Sequence, residues 1–371
     1  MHNFTKAAKA YDKKDFNKAI SFYEKIDPKF KEVYLNLGSA YKGLNIYDKS
    51  YKAYTLAADT SIPFANGKYG QYSSAYNNLG LLHYALGNDK TALEHYSRAL
   101  NIDPLNYDAI WNYGSALLRS SNCVDGWKHY EYRFKQPSSK FKAELPMWDG
   151  VSSGSSICVL AEQGIGDKIM FSRYLHLLSE KFTTIYVQCH PSLDCFYSSY
   201  NIVRVPTGEY GIGICSLAGI FGINVKENWL DGKFTKTSLP GDFKIGCVWA
   251  GSPTHVNDHN RSCSSHHFNS LSNYGNLYSL ATSGRNVSGI VALSPKSWGE
   301  TASYLLGLDL LVSVDTAIVH LAGSLGVPTI MIQPLYETDF RWSHKWYDSV
   351  TVIENSDWSS AFKKVIECIE K

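Results

Sequence analysis

The sequence predicts an α + α/β protein: a helical repeat array followed by a compact core of two similar α/β halves. Three observations predict this. Residues 1–135 repeat small residues and tyrosines at a period of about 34. Later stretches alternate short apolar runs with helical patterns, as in Ile157–Gln188 and Leu311–Ile332, giving strand–helix–strand units that favour parallel sheets. Between the two regimes, 136–156 is broken by Gln136-Pro137-Ser138-Ser139 and by the aromatic turn Pro146-Met147-Trp148-Asp149-Gly150. The expected organisation is therefore repeats over 1–135, a linker over 136–156, one α/β half over 157–240 and a second over 243–371.

In the third copy, Leu79-Gly80, His83, Gly87, Ala92, Tyr96, Ala99 and Pro104 occupy the small, bulky and helix-ending positions of a tetratricopeptide repeat. Gly114, Leu117, Gly126, Tyr130 and Arg133 form a degenerate last copy. Leu37-Gly38, Tyr41, Tyr54, Ala57 and Pro63 make the second; Ala8, Tyr11, Ala19, Tyr23 and Pro28 make the first. An insert, Asn66–Ser73, separates the second and third copies. About four repeats stacked as a solenoid serve either as a groove for a protein or peptide partner or as a spacer or homo-oligomerisation arm.

Composition sets the outer bounds. A hydrophobic content of 44% supplies sizeable cores, and a net charge of +2 without long charge runs gives no support for nucleic-acid binding. No apolar stretch is long enough for a membrane span, and the N-terminus lacks an apolar signal core. The eight cysteines are scattered without C-x-x-C pairs, and Cys189-His190 with Cys195 lacks zinc-site spacing. Reduced thiols, no metal and a cytoplasmic location are the expectation.

In the first half, strand Ile157–Ala161 leads through Glu162-Gln163-Gly164-Ile165-Gly166-Asp167 into helix Lys168–Lys181 and strand Thr183–Gln188. The G-x-G loop, with Gly164 and Gly166, brings backbone close to a ligand at a helix start. Asp167 there is either a favourable helix-dipole charge or a catalytic carboxylate. Asn201–Val205 and Gly213–Leu217 follow. In the second half, strand Lys244–Ala250 carries Trp249 and ends in Gly251-Ser252-Pro253, before the polar loop Thr254–Ser262 with Arg261. Leu277–Leu280 and Gly289–Leu293 are short strands, and Trp298–Gly307 is a helix. Strand Leu311–Val314 then runs into Asp315-Thr316, with Thr316 at the N-cap of helix Ala317–Leu325, Gly326 at its left-handed end and strand Thr329–Ile332 beyond. Asp315 and Thr316 lie where such sheets bind ligands, although the pair is equally the signature of a simple cap. Thr316, His320 and Gly323 share one helix face. Val350–Ile353 and Trp358–Lys371 close the chain.

The ordered motifs resemble those of bacterial tetratricopeptide-repeat glycosyltransferases whose catalytic part is related to the ADP-heptose transferases, glycosyltransferase family 9. The motifs are Gly126-Trp127, Tyr130-Glu131, Arg133-Phe134, Trp148-Asp149-Gly150, Glu162–Asp167, Phe171–Leu175, Cys189 with Pro191–Leu193, Val248–Pro253, Asn257-Asp258, Arg261-Ser262, Thr301-Ala302, Ser313–Ala317, His320–Gly323 and Arg341-Trp342. The resemblance implies a GT-B core of two Rossmann-like halves with a cleft between them. It implies sugar transfer from a nucleotide-sugar co-substrate, inverting and without an obligatory metal or other cofactor. Asp167 becomes the general base. Gly164, Gly166, Trp249, Gly251, Ser252, Arg261, Asp315, Thr316, Ala317 and His320 become nucleotide-sugar contacts. Thr316 and the backbone around it, with Arg261 ahead of Lys296 as cation, meet the leaving diphosphate. His320 reaches the phosphates or, alternatively, packs against Gly323. Where family members carry a nucleotide-contacting Gln, this chain has Ala281, and the acceptor-side loops around Ile202–Lys233 match poorly. A similar layout in O-GlcNAc transferases favours a UDP-sugar over an ADP- or GDP-sugar, and a protein acceptor held by the repeats. The competing reading is a non-catalytic interaction scaffold with an inactive transferase core.

Overall fold

The computed structural model describes residues 2–371 except 138, 140–143, 224, 226–228, 231, 256, 281–286 and 356. Contacts divide the chain into two compact units, Met1–Lys140 and Phe141–Lys371.

The first unit is four helix pairs: His2–Asp12 with Phe16–Glu24, Lys31–Gly43 with Tyr47–Ala58, Ser73–Ala85 with Asp89–Ile102, and Tyr107–Arg119 with Cys123–Tyr130. The repeat signature has a direct steric cause. A Cβ on Gly38 would lie 2.4 Å from the Tyr54 ring, and one on Gly80 would lie 2.5 Å from the Tyr96 ring. At Gly114 the obstacle is the Tyr130 backbone nitrogen, 2.7 Å away. The same sequence spacing recurs each time, so the glycine of one helix is the seat for the tyrosine of its partner. Tyr54 and Tyr96 are almost fully buried there. Helix ends are tied across the second and third pairs by side chains at matching positions: Lys31 Nζ donates to the Ala57 carbonyl at 3.2 Å, and Ser73 Oγ to the Ala99 carbonyl at 2.9 Å. Caps fix several starts, with Asp15 and Asn106 accepting from Lys18 N–H and Ala109 N–H.

The second unit holds two parallel sheets. The first contains β1 (Gly154–Leu160), β2 (Phe182–Gln188), β3 (Asn201–Val203) and β4 (Tyr210–Gly213) in the order β3-β2-β1-β4. The second contains β5 (Lys244–Val248), β6 (Asn276–Ser279), β7 (Ile290–Ala292), β8 (Leu310–Val314), β9 (Thr329–Pro334) and β10 (Val350–Asn355) in the order β10-β9-β8-β5-β6-β7. Both orders reverse direction beside their first strand, at β1/β4 and at β5/β8, as in doubly wound nucleotide-binding sheets. All pairings within the two sheets are parallel. Every residue of β8 is buried, which explains its unbroken apolar run. A core of Ile245, Cys247, Trp249, Phe268, Leu271, Val312, Ile332 and Phe362 lies under the second sheet.

Several boundaries move. Residues 146–150 are part of the first sheet's surroundings, not of a linker: Trp148 N–H donates to the Gly211 carbonyl, Gly211 N–H to the Pro146 carbonyl, and the Trp148 ring packs edge-on to Phe182. The stretch Gly213–Leu217 is mostly a 3-10 turn, and the strand precedes it at Tyr210–Gly213. The helix expected from Lys168 begins at Ile165 and tightens into 3-10 form over Ser172–Glu180. Gly164 therefore takes the N-cap position, and Asp167 lies inside the first turn. Ala281 lies outside the described residues.

The seat argument makes a prediction. Gly80→Ala is expected to destabilise the repeat unit by about 1–3 kcal/mol, because the Tyr96 ring must leave its site. Urea denaturation followed by far-ultraviolet circular dichroism measures this, and an unchanged midpoint contradicts it.

Candidate functional site

The two switch points of the second unit meet at a pair of helix starts. The helix after β1, Ile165–Phe171, and the helix after β8, Ala317–Ser324, approach so closely that a Cβ on Gly166 would lie 2.8 Å from His320 Cδ2 and 3.5 Å from the Ala317 Cα. Only glycine permits that approach, which gives the second glycine of the G-x-G loop its physical reason. Gly164 N–H donates to Asp167 Oδ2 at 3.1 Å, turning the carboxylate back over its own helix start.

Asp167 is not alone. Its Oδ1 is ion-paired with Arg341 Nε, and Arg341 Nη1 also reaches both oxygens of Asp339 at 2.9 Å each. One guanidinium thus joins a carboxylate of the first half to one in the segment after β9. Burial pushes the Asp167 carboxyl up, opposed mainly by the Arg341 charge. Asp339 is held down despite its burial by the same guanidinium and by hydrogen bonds from Arg341.

Asp315, just after β8, accepts a 3.0 Å hydrogen bond from Trp342 Nε1. Burial and the neighbouring Asp339 charge raise its carboxyl to about 6. Trp342 stacks on His320 with ring centroids 4.7 Å apart and planes 15° from parallel. His320 Nδ1 lies 3.0 Å from the Tyr347 hydroxyl. Burial, with Arg341 nearby, lowers the imidazole to about 3, so it is neutral. Thr316 holds the N-cap position of the Ala317 helix but makes no side-chain cap bond. The functional alternative for Thr316 therefore does not compete with a capping role.

The loop after β5 is built around Arg261. A Cβ on Gly251 would lie 2.5 Å from the Arg261 guanidinium, which donates to the Asp315 carbonyl at 3.2 Å and pairs with Asp258 at 3.3 Å. Gly251 N–H is held by Ser262 Oγ at 3.1 Å. Arg261 thus braces the Asp315 loop. Ser252 is exposed beside this loop and bonds Thr254.

The structure brings together Gly164, Gly166, Asp167, Gly251, Arg261, Asp315, Thr316, Ala317 and His320. It places two others elsewhere. The Trp249 side chain turns into the core, edge-on to Phe268, so only its backbone belongs to the loop. Lys296 is exposed beyond the edge strand β7, away from the β5/β8 switch point. Asp339, Arg341, Trp342 and Tyr347 have no role assigned from sequence, although the aromatic and charged run Tyr336–Trp346 marks their segment and Arg341-Trp342 is among the quoted motifs. Arg173, also within a motif, is fully buried and donates to the Trp346 and Val225 carbonyls at 2.9 and 2.8 Å, tying the halves together.

Comparison with known proteins bears on the repeats. The tetratricopeptide repeat family matches residues 32–104. Those residues are tetratricopeptide repeats. FlbA of Caulobacter vibrioides is 28% identical over 150 residues, which are 38% of this chain and 23% of that protein, so the match spans under a quarter of the relative's length. The MamA crystal structure is similar over 36% of this chain and 70% of its own, at 21% identity and a TM-score of 0.29. YrrB, described as a tetratricopeptide repeat protein with an unusual peptide-binding site, is similar over 36% of this chain and 67% of its own, at 16% identity and a TM-score of 0.28. At these scores the likeness adds nothing to the family match. Among the described residues, no helix is long and apolar enough to cross a membrane.

The raised Asp315 carboxyl generates a prediction with a definite sign. A folded state that holds this proton to about pH 6, against roughly 3.9 when unfolded, is favoured at low pH. That contribution is lost as pH rises from about 4 to 6. Asp315→Asn keeps an acceptor for Trp342 and cannot ionise. Its stability relative to wild type is expected to rise by roughly 2–3 kcal/mol between pH 4 and pH 7. Denaturant titrations at both pH values check this, and a pH-independent difference rules it out.

Proposed function

We propose that the second unit is a nucleotide-sugar-dependent glycosyltransferase of GT-B type, and that the repeats recruit the acceptor or a partner protein. The observation that carries the reading is the meeting of two switch-point loops, with Asp167 from one sheet facing Asp315, His320 and Arg341 from the other. A diphosphate leaving group needs N–H donors and cations. The start of the Ala317 helix supplies the donors. Arg341 supplies a cation, and Arg261 holds the Asp315 loop in place. The acceptor hydroxyl attacks the anomeric carbon as the bond from that carbon to the phosphate oxygen breaks. The hydroxyl proton passes to Asp167, the electron pair leaves with the nucleoside diphosphate, and an in-line attack inverts the anomeric centre.

The ion pair between Arg341 and Asp167 adds a condition. While the guanidinium holds Asp167 Oδ1, that oxygen cannot receive a proton. Donor phosphates offer Arg341 a competing anion, so the base is freed when the diphosphate is present. A UDP-sugar with a protein acceptor is the favoured pair, supported by the repeat match at residues 32–104 and by likeness of layout.

The same ion pair favours a second reading, a scaffold whose core no longer turns over, because it occupies the proposed base. Nucleotide release from a panel of UDP-, GDP- and ADP-sugars separates the two. Asp167→Asn is expected to lower release at least 100-fold with donor affinity within a few-fold of wild type. Equal background rates for wild type and Asp167→Asn would leave the scaffold reading standing.

A further inference from the structure

Four rings form a continuous row across the joint between the second and third repeats. Tyr51, on the Tyr47–Ala58 helix, meets His83 edge-on with centroids 6.0 Å apart. His83, on the Ser73–Ala85 helix, stacks on His95, on the Asp89–Ile102 helix, at 5.2 Å with planes 11° from parallel. His95 in turn stacks on Tyr76 at 6.4 Å. Both histidines are half-buried. The second and fourth repeats carry Tyr41 and Leu117 at the position of His83, three residues after the conserved-spacing glycine, so a packing position that is aromatic or aliphatic elsewhere here holds a ring that can take a charge.

The geometry opposes that charge. A charged imidazole carries hydrogen on both ring nitrogens. His83 Nδ1 is buried with no hydrogen-bond partner among the described residues, so charging leaves a buried N–H with nothing to accept it, whichever tautomer the neutral ring adopts. Charging both rings also sets two cations face to face at 5.2 Å. The surrounding groups do not compensate. Tyr51 comes from the Tyr47–Ala58 helix, Tyr76 from the Ser73–Ala85 helix, and Glu94 and Arg98 from the Asp89–Ile102 helix, where the Arg98 guanidinium lies 4.4 Å from the Tyr76 ring centroid. On the two other helices packed against Ser73–Ala85, Lys31 donates to the Ala57 carbonyl, Glu32 accepts from Ala65 N–H, Asp108 accepts from Gln136, and Arg119 pairs with Asp89. Burial holds both imidazoles below their ordinary range; at His95 the neighbouring His83 and Arg98 act in the same sense, and Glu94 opposes them.

We propose that the His83–His95 stack is an acid-sensitive joint in the repeat array: its neutral rings hold the second and third repeats together, and protonation opens the helices on either side while the first helix pair stays closed. The inference concerns the repeats alone and does not use the transferase reading. Its sign follows from linkage. The unfolded chain takes up these two protons at roughly pH 6.5, whereas the packed rings resist them, so the stabilisation is present above that pH and is lost as pH falls below it. Any partner that lies across both repeats is held by a surface whose continuity depends on two uncharged rings.

The test is amide hydrogen exchange of the full chain, read by mass spectrometry at pH 7.5 and pH 5.5 and expressed as protection factors, which removes the intrinsic pH dependence of exchange. Peptides from the first helix pair, His2–Asp12 and Phe16–Glu24, serve as the internal reference. In wild type, protection of Tyr47–Ala58, Ser73–Ala85 and Asp89–Ile102 is expected to fall roughly 3–10-fold more than that of the reference on going to pH 5.5. His83→Phe combined with His95→Phe keeps two rings in the row and cannot take up a proton, and its protection is expected to change no more than the reference. Equal changes in the joint and the reference of wild type overturn the proposal, and that comparison decides even if the double variant fails to fold. A joint that loosens equally in wild type and in the folded double variant also overturns it, because the acid response then belongs to other groups.

Discussion

The α/β unit depends on one close approach: the backbone of Gly166 against the ring of His320. A side chain at position 166 would push the Ile165 and Ala317 helices apart. Asp167 sits one residue beyond the contact, and Asp315 two residues before the helix that carries His320. Their separation is therefore set by van der Waals contact between two helix starts, not by flexible loops. Arg173 acts on the same junction through the Trp346 carbonyl, and Arg341 spans it through Asp167 and Asp339. Each tie requires the halves to hold the spacing that the glycine permits.

Much of this was legible in the sequence, and the reasons differ by element. The repeats were readable because each glycine–tyrosine contact is local and recurs at fixed spacing, so sterics print directly into the pattern. Strand β8, the Ala317 helix and Gly326 were placed almost to the residue, since an apolar run, a capping position and a left-handed glycine are all local signals. The start of the first-half helix was missed by three residues, because Ile165 and Gly166 read as loop while tertiary contact with His320 holds them helical. Trp249 came from the resemblance as part of the Val248–Pro253 motif, and period-two alternation sends its ring to the core with Cys247, leaving only its backbone in the loop.

The site's least legible part is the Asp339–Tyr347 segment. It contains no regular helix or long strand, only a short 3-10 turn at Phe340–Ser343. Its significance comes from partners far away in sequence: Asp167 for Arg341, Asp315 for Trp342, His320 for Tyr347. No spacing rule within the segment announces those pairings. A local excess of aromatic and charged residues in a loop was the available signal, and it marks the place without assigning the roles.

Arg173 and Arg341 join the same two halves by different chemistry. Arg173 is anchored by the Trp346 and Val225 carbonyls and by aromatic faces, none of which takes up or gives up a proton in the physiological range. Arg341 is anchored by carboxylates, whose charge depends on protonation and whose hold can be contested by another anion. The junction therefore has an axle indifferent to its chemical surroundings and a pawl that responds to them. A protein built this way can loosen one contact between its halves without losing their alignment.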